Sequence, residues 1–61
     1  MDAYQRAMTK AERFAKRLAK ETCKTMHELY GWDMRYERRG DSFIIYTDGV
    51  ATNEIEIARL Q

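Results

Sequence analysis

Cys23, His27 and Glu28 come closest, in residue type and spacing, to a catalytic group in this chain. Cys23 and His27 are four residues apart, so on a helix they would lie side by side. A histidine can activate a thiol, but such a nucleophile also needs an oxyanion site in a cleft, and a helix on a short sheet offers little concave volume. We therefore predict that the protein is not an enzyme, that Cys23 is a small buried side chain and that His27 lies on the surface near a helix end.

The sequence also has too few suitable ligands for a metal site. The single cysteine cannot form an internal disulfide, and one Cys with one His falls short of the four ligands of a structural zinc site. We expect no metal and no cofactor. A single domain spanning residues 1–61 is marginally stable by itself, so we expect it to be supported by a partner chain, most simply as a homodimer.

The first half of the chain is predicted to form one long helix, from Asp2 to about Tyr30. Apolar residues recur every three or four positions, and neither Pro nor Gly occurs before Gly31. Gly31 suits the left-handed position that ends a helix. The alternative is a helix that stops near Cys23, with a strand beginning at Thr25. Four oppositely charged pairs are spaced i,i+4 and can pair weakly along the helix: Asp2–Arg6, Glu12–Lys16, Arg17–Glu21 and Lys24–Glu28.

Apolar and charged residues alternate over 32–37 and again over 54–57, and a continuous apolar run, 43–46, lies between them. These patterns predict three antiparallel strands, at about 32–38, 42–47 and 54–60. Arg39-Gly40 is the expected turn, which places Arg38 opposite Asp41 and Tyr36 opposite Phe43. The apolar side chains then share one face of the sheet: Trp32, Met34, Tyr36, Phe43 and Ile45.

Residues 48–53 are predicted to be a loop before the third strand. Ile55 and Ile57 alternate with acidic residues, which is typical of a strand that has one buried face. The competing interpretation is a short C-terminal helix, with Asn53 as its N-cap and Glu56 as the capping-box partner of Asn53.

These elements predict an α+β fold, in which a long N-terminal helix packs on a three-stranded antiparallel meander (αβββ). A helix of about 29 residues is roughly 43 Å long, whereas such strands reach only about 20 Å. Because Gly31 leads directly into the first strand, residues 23–30 should cover the sheet and the N-terminal half of the helix should remain bare. A bare apolar patch indicates an interaction surface, here for a second copy. Its predicted members are Tyr4, Ala7, Met8, Ala11, Phe14 and Ala15.

Alanines four residues apart form a ridge of small side chains, along which a second helix could approach closely. The alternative is that Ala is present simply as the best helix former. Trp32 and Tyr36 are expected in the core, whereas Tyr46 is either a core residue or part of an exposed stacking platform.

Charge is unevenly distributed along the chain. Residues 1–31 hold seven Lys/Arg and four Asp/Glu, and residues 32–61 hold four and six. A basic helix on a mildly acidic sheet can contact a partner's polar surface or nucleic-acid phosphates, although most charged faces are simply solvated. The candidate polar binding surface comprises Arg6, Lys10, Arg13, Arg17, Lys20, Lys24, Arg38 and Arg39.

The stretch from Ala11 to Thr22 (AERFAKRLAKET), followed by a tyrosine-bearing hairpin, resembles very short proteins encoded by bacteriophages and other mobile elements. The resemblance implies a protein that binds and blocks host machinery, as anti-CRISPR and other anti-defence proteins do, and it assigns no functional residues.

We therefore expect a non-enzymatic binding protein that occludes a site on a larger protein or ribonucleoprotein. The alternatives are a small nucleic-acid-binding regulator that uses the basic helix face, and a structural or assembly protein. The chain has neither a signal-peptide core nor a long apolar run. We expect it to be cytoplasmic (in the host cell if phage-encoded) and to have no membrane partner.

Overall fold

The structure, a computed structural model, describes residues 9–57 of the chain. Within this range, helix α1 (Lys10–Tyr30) is followed by strands β1 (Met34–Arg39), β2 (Ser42–Thr47) and β3 (Val50–Glu56). The strands form an antiparallel sheet in the order β1-β2-β3, and α1 packs on one face of it. The predicted α+β class, with its αβββ order, is confirmed.

Helix α1 begins at Lys10 because Thr9 caps it. The backbone of Thr9 is extended (ψ 166°), and its Oγ1 accepts a hydrogen bond from the backbone N–H of Glu12 at 3.1 Å. The same hydroxyl donates to Glu12 Oε1 at 3.3 Å. Thr-x-x-Glu is the sequence pattern of a capping box, which satisfies helix N–H groups that lack a carbonyl partner. The prediction of one continuous helix from Asp2 is therefore wrong, and residues 2–8 lie outside the described residues.

The other end of α1 is where the sequence predicts it. Gly31 is left-handed (φ 72°, ψ 13°), and its N–H donates to the His27 carbonyl at 2.8 Å. The alternative of a strand beginning at Thr25 is wrong. Trp32 follows immediately, but its ring stacks on Tyr30 with centroids 4.3 Å apart and remains 42% exposed. The prediction that Trp32 is a core residue is also wrong.

The β1–β2 hairpin turns one residue later than predicted, at Gly40-Asp41. Arg38 consequently lies opposite Phe43, and Tyr36 opposite Ile45. Gly40 has φ 57°, and glycine is preferred at the first position of a two-residue hairpin turn. The predicted register is wrong by two residues. Because side chains alternate between faces, an even shift leaves every residue of β1 and β2 on its predicted face.

The β2–β3 hairpin turns at Asp48-Gly49, where both residues have positive φ (50° and 85°). Asp-Gly is a strong signal for this turn type, and the prediction of a loop over residues 48–53 is wrong. The turn also holds the start of β1, since Asp48 Oδ1 accepts from the Asp33 N–H at 3.0 Å. The third element is a strand, as predicted, and not the alternative capped helix. It spans Val50–Glu56 and so begins earlier than the predicted residue 54. Residues 58–60 of the predicted strand lie outside the described residues.

The core lies between the inner side of α1 and the covered face of the sheet. Its helical residues are small and four positions apart, and its sheet residues are large. They are Ala11, Ala15, Ala19 and Cys23 from α1, with Phe43, Ile45 and Ile57 from the sheet side. Met34, Tyr36 and Ile55 pack around them. The prediction that residues 23–30 cover the sheet while the preceding turns stay bare is therefore wrong.

Candidate binding surfaces

The surface predicted for a second copy is divided by the fold. Ala11 and Ala15 are 7% and 0% exposed and belong to the core, whereas Phe14 is 53% exposed. Tyr4, Ala7 and Met8 lie outside the described residues. A dimer through the alanine ridge is thus excluded over the described part of α1, because the chain's own sheet covers that ridge.

The basic residues predicted to contact a partner lie on the parts of α1 that the sheet leaves open. Lys10, Arg13, Arg17, Lys20 and Lys24 are exposed, as is Lys16, whereas Arg6 lies outside the described residues. Two neighbouring surface depressions cross this side of the helix. One is lined by Lys10, Arg13, Phe14 and Arg17, and the other by Arg13, Lys16, Arg17, Lys20 and Glu21. Arg13 and Arg17 line both, so the two depressions form one continuous surface. We call the residues Arg13, Lys16, Arg17, Lys20 and Lys24 the basic patch.

Within the described part of α1, no acid forms an ion pair with these cations. Over residues 9–57 the ion pairs are Arg38–Glu12 and Arg39–Glu37, so the i,i+4 pairs predicted within this range are wrong. The pair Asp2–Arg6 lies outside the described residues. Glu12, four residues before Lys16, is bound instead by a residue of β1. The basic patch consequently keeps its charge available to a partner.

Arg38, predicted to belong to the polar binding surface, instead joins the sheet to the start of α1. Its Nη1 donates to Glu12 Oε2 at 2.8 Å, and its Nε donates to the Gly40 carbonyl at 2.8 Å. The hydrogen bond from Arg38 lowers the pKa of the Glu12 carboxyl below its ordinary value. Arg38 is therefore engaged within the fold, in contrast to the cations of the helix.

Arg39 is engaged on the face of the sheet that α1 does not cover. Its Nε donates to Glu37 Oε1 at 2.7 Å, and the Tyr46 hydroxyl donates to the same oxygen at 3.4 Å. This hydrogen bond between Arg39 and Glu37 lowers the pKa of the Glu37 carboxyl and raises the pKa of the Arg39 guanidinium. The guanidinium of Arg35 lies over the Tyr46 ring, 4.9 Å from its centroid. Tyr46 thus takes part in a charged network and not in a bare stacking platform.

An exposed apolar cluster at the end of α1 was missed by the sequence reasoning, which placed these residues against the sheet. Leu29 is 67% exposed, and Tyr30 is 57% exposed beneath the stacked Trp32 ring. The available signal was the position of Trp32 just after Gly31, because a left-handed cap is frequently accompanied by a hydrophobic contact between the residue that follows it and the end of the helix.

Cys23 and His27 lie where the sequence predicts, but they are not joined. Cys23 is buried in the core, and burial raises the pKa of its thiol, which disfavours the reactive thiolate. His27 is exposed, and its Nδ1 donates to the Trp32 carbonyl at 2.7 Å. The imidazole therefore fastens the helix end to the segment that follows it.

Searches for other functional features of the described chain add no further site. No group of three or more His, Cys, Asp or Glu residues in this part of the protein could hold a metal ion. Across residues 9–57, no helix has the length and apolar character that a membrane span requires. Comparisons of the chain with protein-family models, with curated proteins and with solved structures find no match.

Proposed function

We propose that this protein is a non-enzymatic binding protein that occludes a site on a larger macromolecule, using the open side of α1. Two exposed apolar side chains, Phe14 and Leu18, support this proposal, since they are 53% and 41% exposed beside Arg13 and Arg17. Aromatic residues and arginine are enriched where proteins contact partners, and a large apolar side chain on such a surface loses unfavourable hydration when a partner covers it.

The charge of this surface indicates an acidic partner. Cations without internal ion pairs attract an oppositely charged surface over about one Debye length and orient the encounter. A second copy fits this surface poorly, because two basic faces repel each other. The resemblance to short phage-encoded proteins is consistent with a target in host defence or other host machinery, such as the target of an anti-CRISPR protein.

Capture from a host-cell lysate tests the proposal when it compares matched variants. The test variant is Phe14→Ser with Leu18→Ser, and the control is Leu29→Ser with Val50→Ser. The control also loses two exposed apolar side chains, which are 67% and 63% exposed, at the last turn of α1 and at the start of β3. Both captured proteins and captured nucleic acids are quantified.

We expect a macromolecule that wild type and the control retain and that the test variant loses by about tenfold or more, roughly 1.4 kcal/mol. Equal retention by both variants would show that the open side of α1 is not the binding surface. If wild-type protein captures nothing above a blank resin, the proposal of a binding function is wrong.

A further inference from the structure

We infer that the basic patch binds the phosphate backbone of double-stranded DNA, an inference that rests on the proposed function and names the chemistry of its target. Each of these exposed cations, from Arg13 to Lys24, has another of them three or four residues away. Such residues are neighbours on a helix surface, so their charges act on a partner together. Eleven residues of α-helix span about 16 Å.

The fold draws one acid of α1, Glu12, away from the basic patch. Glu12 would pair with Lys16 on an isolated helix. Here its Oε2 accepts from Arg38 at 2.8 Å. Glu21 borders one of the depressions, but it forms no ion pair among the residues that the structure describes. Release of condensed counterions by unpaired cations is the main driving force of backbone binding to DNA.

The shape of the surface selects duplex DNA. The patch is on a convex helix whose opposite side rests on the sheet, so half of its circumference is free to enter a groove. The major groove of B-form DNA is about 12 Å wide and admits an α-helix. The cations on either side of α1 then reach phosphates on both rims. A-form RNA has a deep, narrow major groove that does not admit a helix.

The exposed ring of Phe14 adds an apolar contact within the same surface. It lines one depression together with Lys10, Arg13 and Arg17. An apolar side chain among phosphate-binding cations can contact a thymine methyl group in the major groove.

Fluorescence anisotropy with a random-sequence DNA duplex tests the inference. Five phosphate contacts give a slope of about −4.5 for log K against log salt, so affinity should fall about 500-fold between 50 and 200 mM salt. Arg17→Gln with Lys20→Gln should make that slope shallower by about 2 units and weaken binding at least tenfold at low salt.

Arg35→Gln with Arg39→Gln is the matched control, since it removes the same charge from the uncovered face of the sheet. This control should bind like wild type, and circular dichroism should show that both variants are folded. An equal loss of affinity in both double variants would overturn the inference, because net charge alone would then explain binding.

Three further results would also overturn it. They are an absence of DNA binding near 50 mM salt, equally tight binding of duplex RNA, and displacement of DNA by poly-glutamate at equal charge. A lysate partner lost by the Phe14 and Leu18 variant, together with no binding of purified DNA, would leave the proposed function standing with a protein target.

Discussion

The two sides of α1 differ in side-chain size, charge and role. The inner side carries Ala11, Ala15, Ala19 and Cys23, which are at most 8% exposed and form the core with the sheet. The open side carries the basic patch, whose members make no ion pair within the described part of the chain. A ridge of small residues, which from the sequence resembles a helix–helix contact surface, is thus structural. The surface left for a partner is basic and includes bulky residues such as Phe14.

This division follows from complementary sizes across the core. The sheet presents large side chains toward the helix, among them Phe43 and Ile45, which are 3% and 2% exposed. Large residues on one layer pack best against small residues on the other, because the layers can then approach without voids or strain. Had Phe14 and Leu18 faced the sheet, α1 would have been held further away from it.

Placing a glutamate on each side of α1 in turn should give the largest difference in stability between two variants. Ala19→Glu puts a carboxylate at a position that is 0% exposed, which costs several kcal/mol. A domain of this size has only about 3–5 kcal/mol of stability, so we expect it to unfold. Lys20→Glu should change stability by no more than about 0.5 kcal/mol. Thermal melting followed by circular dichroism measures both, and a normal melt for Ala19→Glu would contradict the packing described.

Ile44 and Ile45 are adjacent in β2 and lie on opposite faces of the sheet, so their replacement compares the covered face with the uncovered one. Ile45 is 2% exposed beneath α1, and Ile45→Ala should cost about 2–5 kcal/mol through lost burial and a cavity. Ile44 is only partly buried on the uncovered face, so Ile44→Ala should cost less than about 1 kcal/mol. Urea unfolding gives both values, and the reverse order would mean that α1 covers the other face.

Replacing Glu12 or Glu21 of α1 should have different effects on how stability depends on acid pH. This is the smallest of the expected effects. The pKa of Glu12 is lowered from 4.5 in the folded protein. A carboxyl with a depressed pKa adds stability above its unfolded pKa and loses it as the pH falls through the folded pKa. We therefore expect Glu12→Gln to lower the urea midpoint at neutral pH and to flatten its decline below about pH 4.5.

Glu21→Gln is the control on the open side of α1, where the carboxylate has no ion-pair partner in the described structure. It should leave the acid dependence of the urea midpoint as in wild type. If the two variants show the same acid dependence, the Arg38–Glu12 pair contributes nothing to folding.

Several features of this protein were predictable because they depend on local chemistry. Gly31 ends α1 since a residue without Cβ adopts the left-handed conformation at little cost. The alternation over 34–37 and the apolar run over 43–46 predict which side chains share a face of the sheet, and an even error in register leaves that prediction unchanged. The capping box of Thr9 and the Asp48-Gly49 turn were equally local, so the sequence contained signals for both.

The choice of the buried ridge of α1 depended on the tertiary structure. Apolar residues cover about half of the helix circumference, so hydrophobicity by itself does not distinguish the ridge of Ala15 from the neighbouring ridge of Phe14. The large side chains of the sheet make that choice through packing. The same contact brings Arg38 to Glu12 and leaves Lys16 unpaired. The charge of the surface that remains is therefore a consequence of how the two layers fit together.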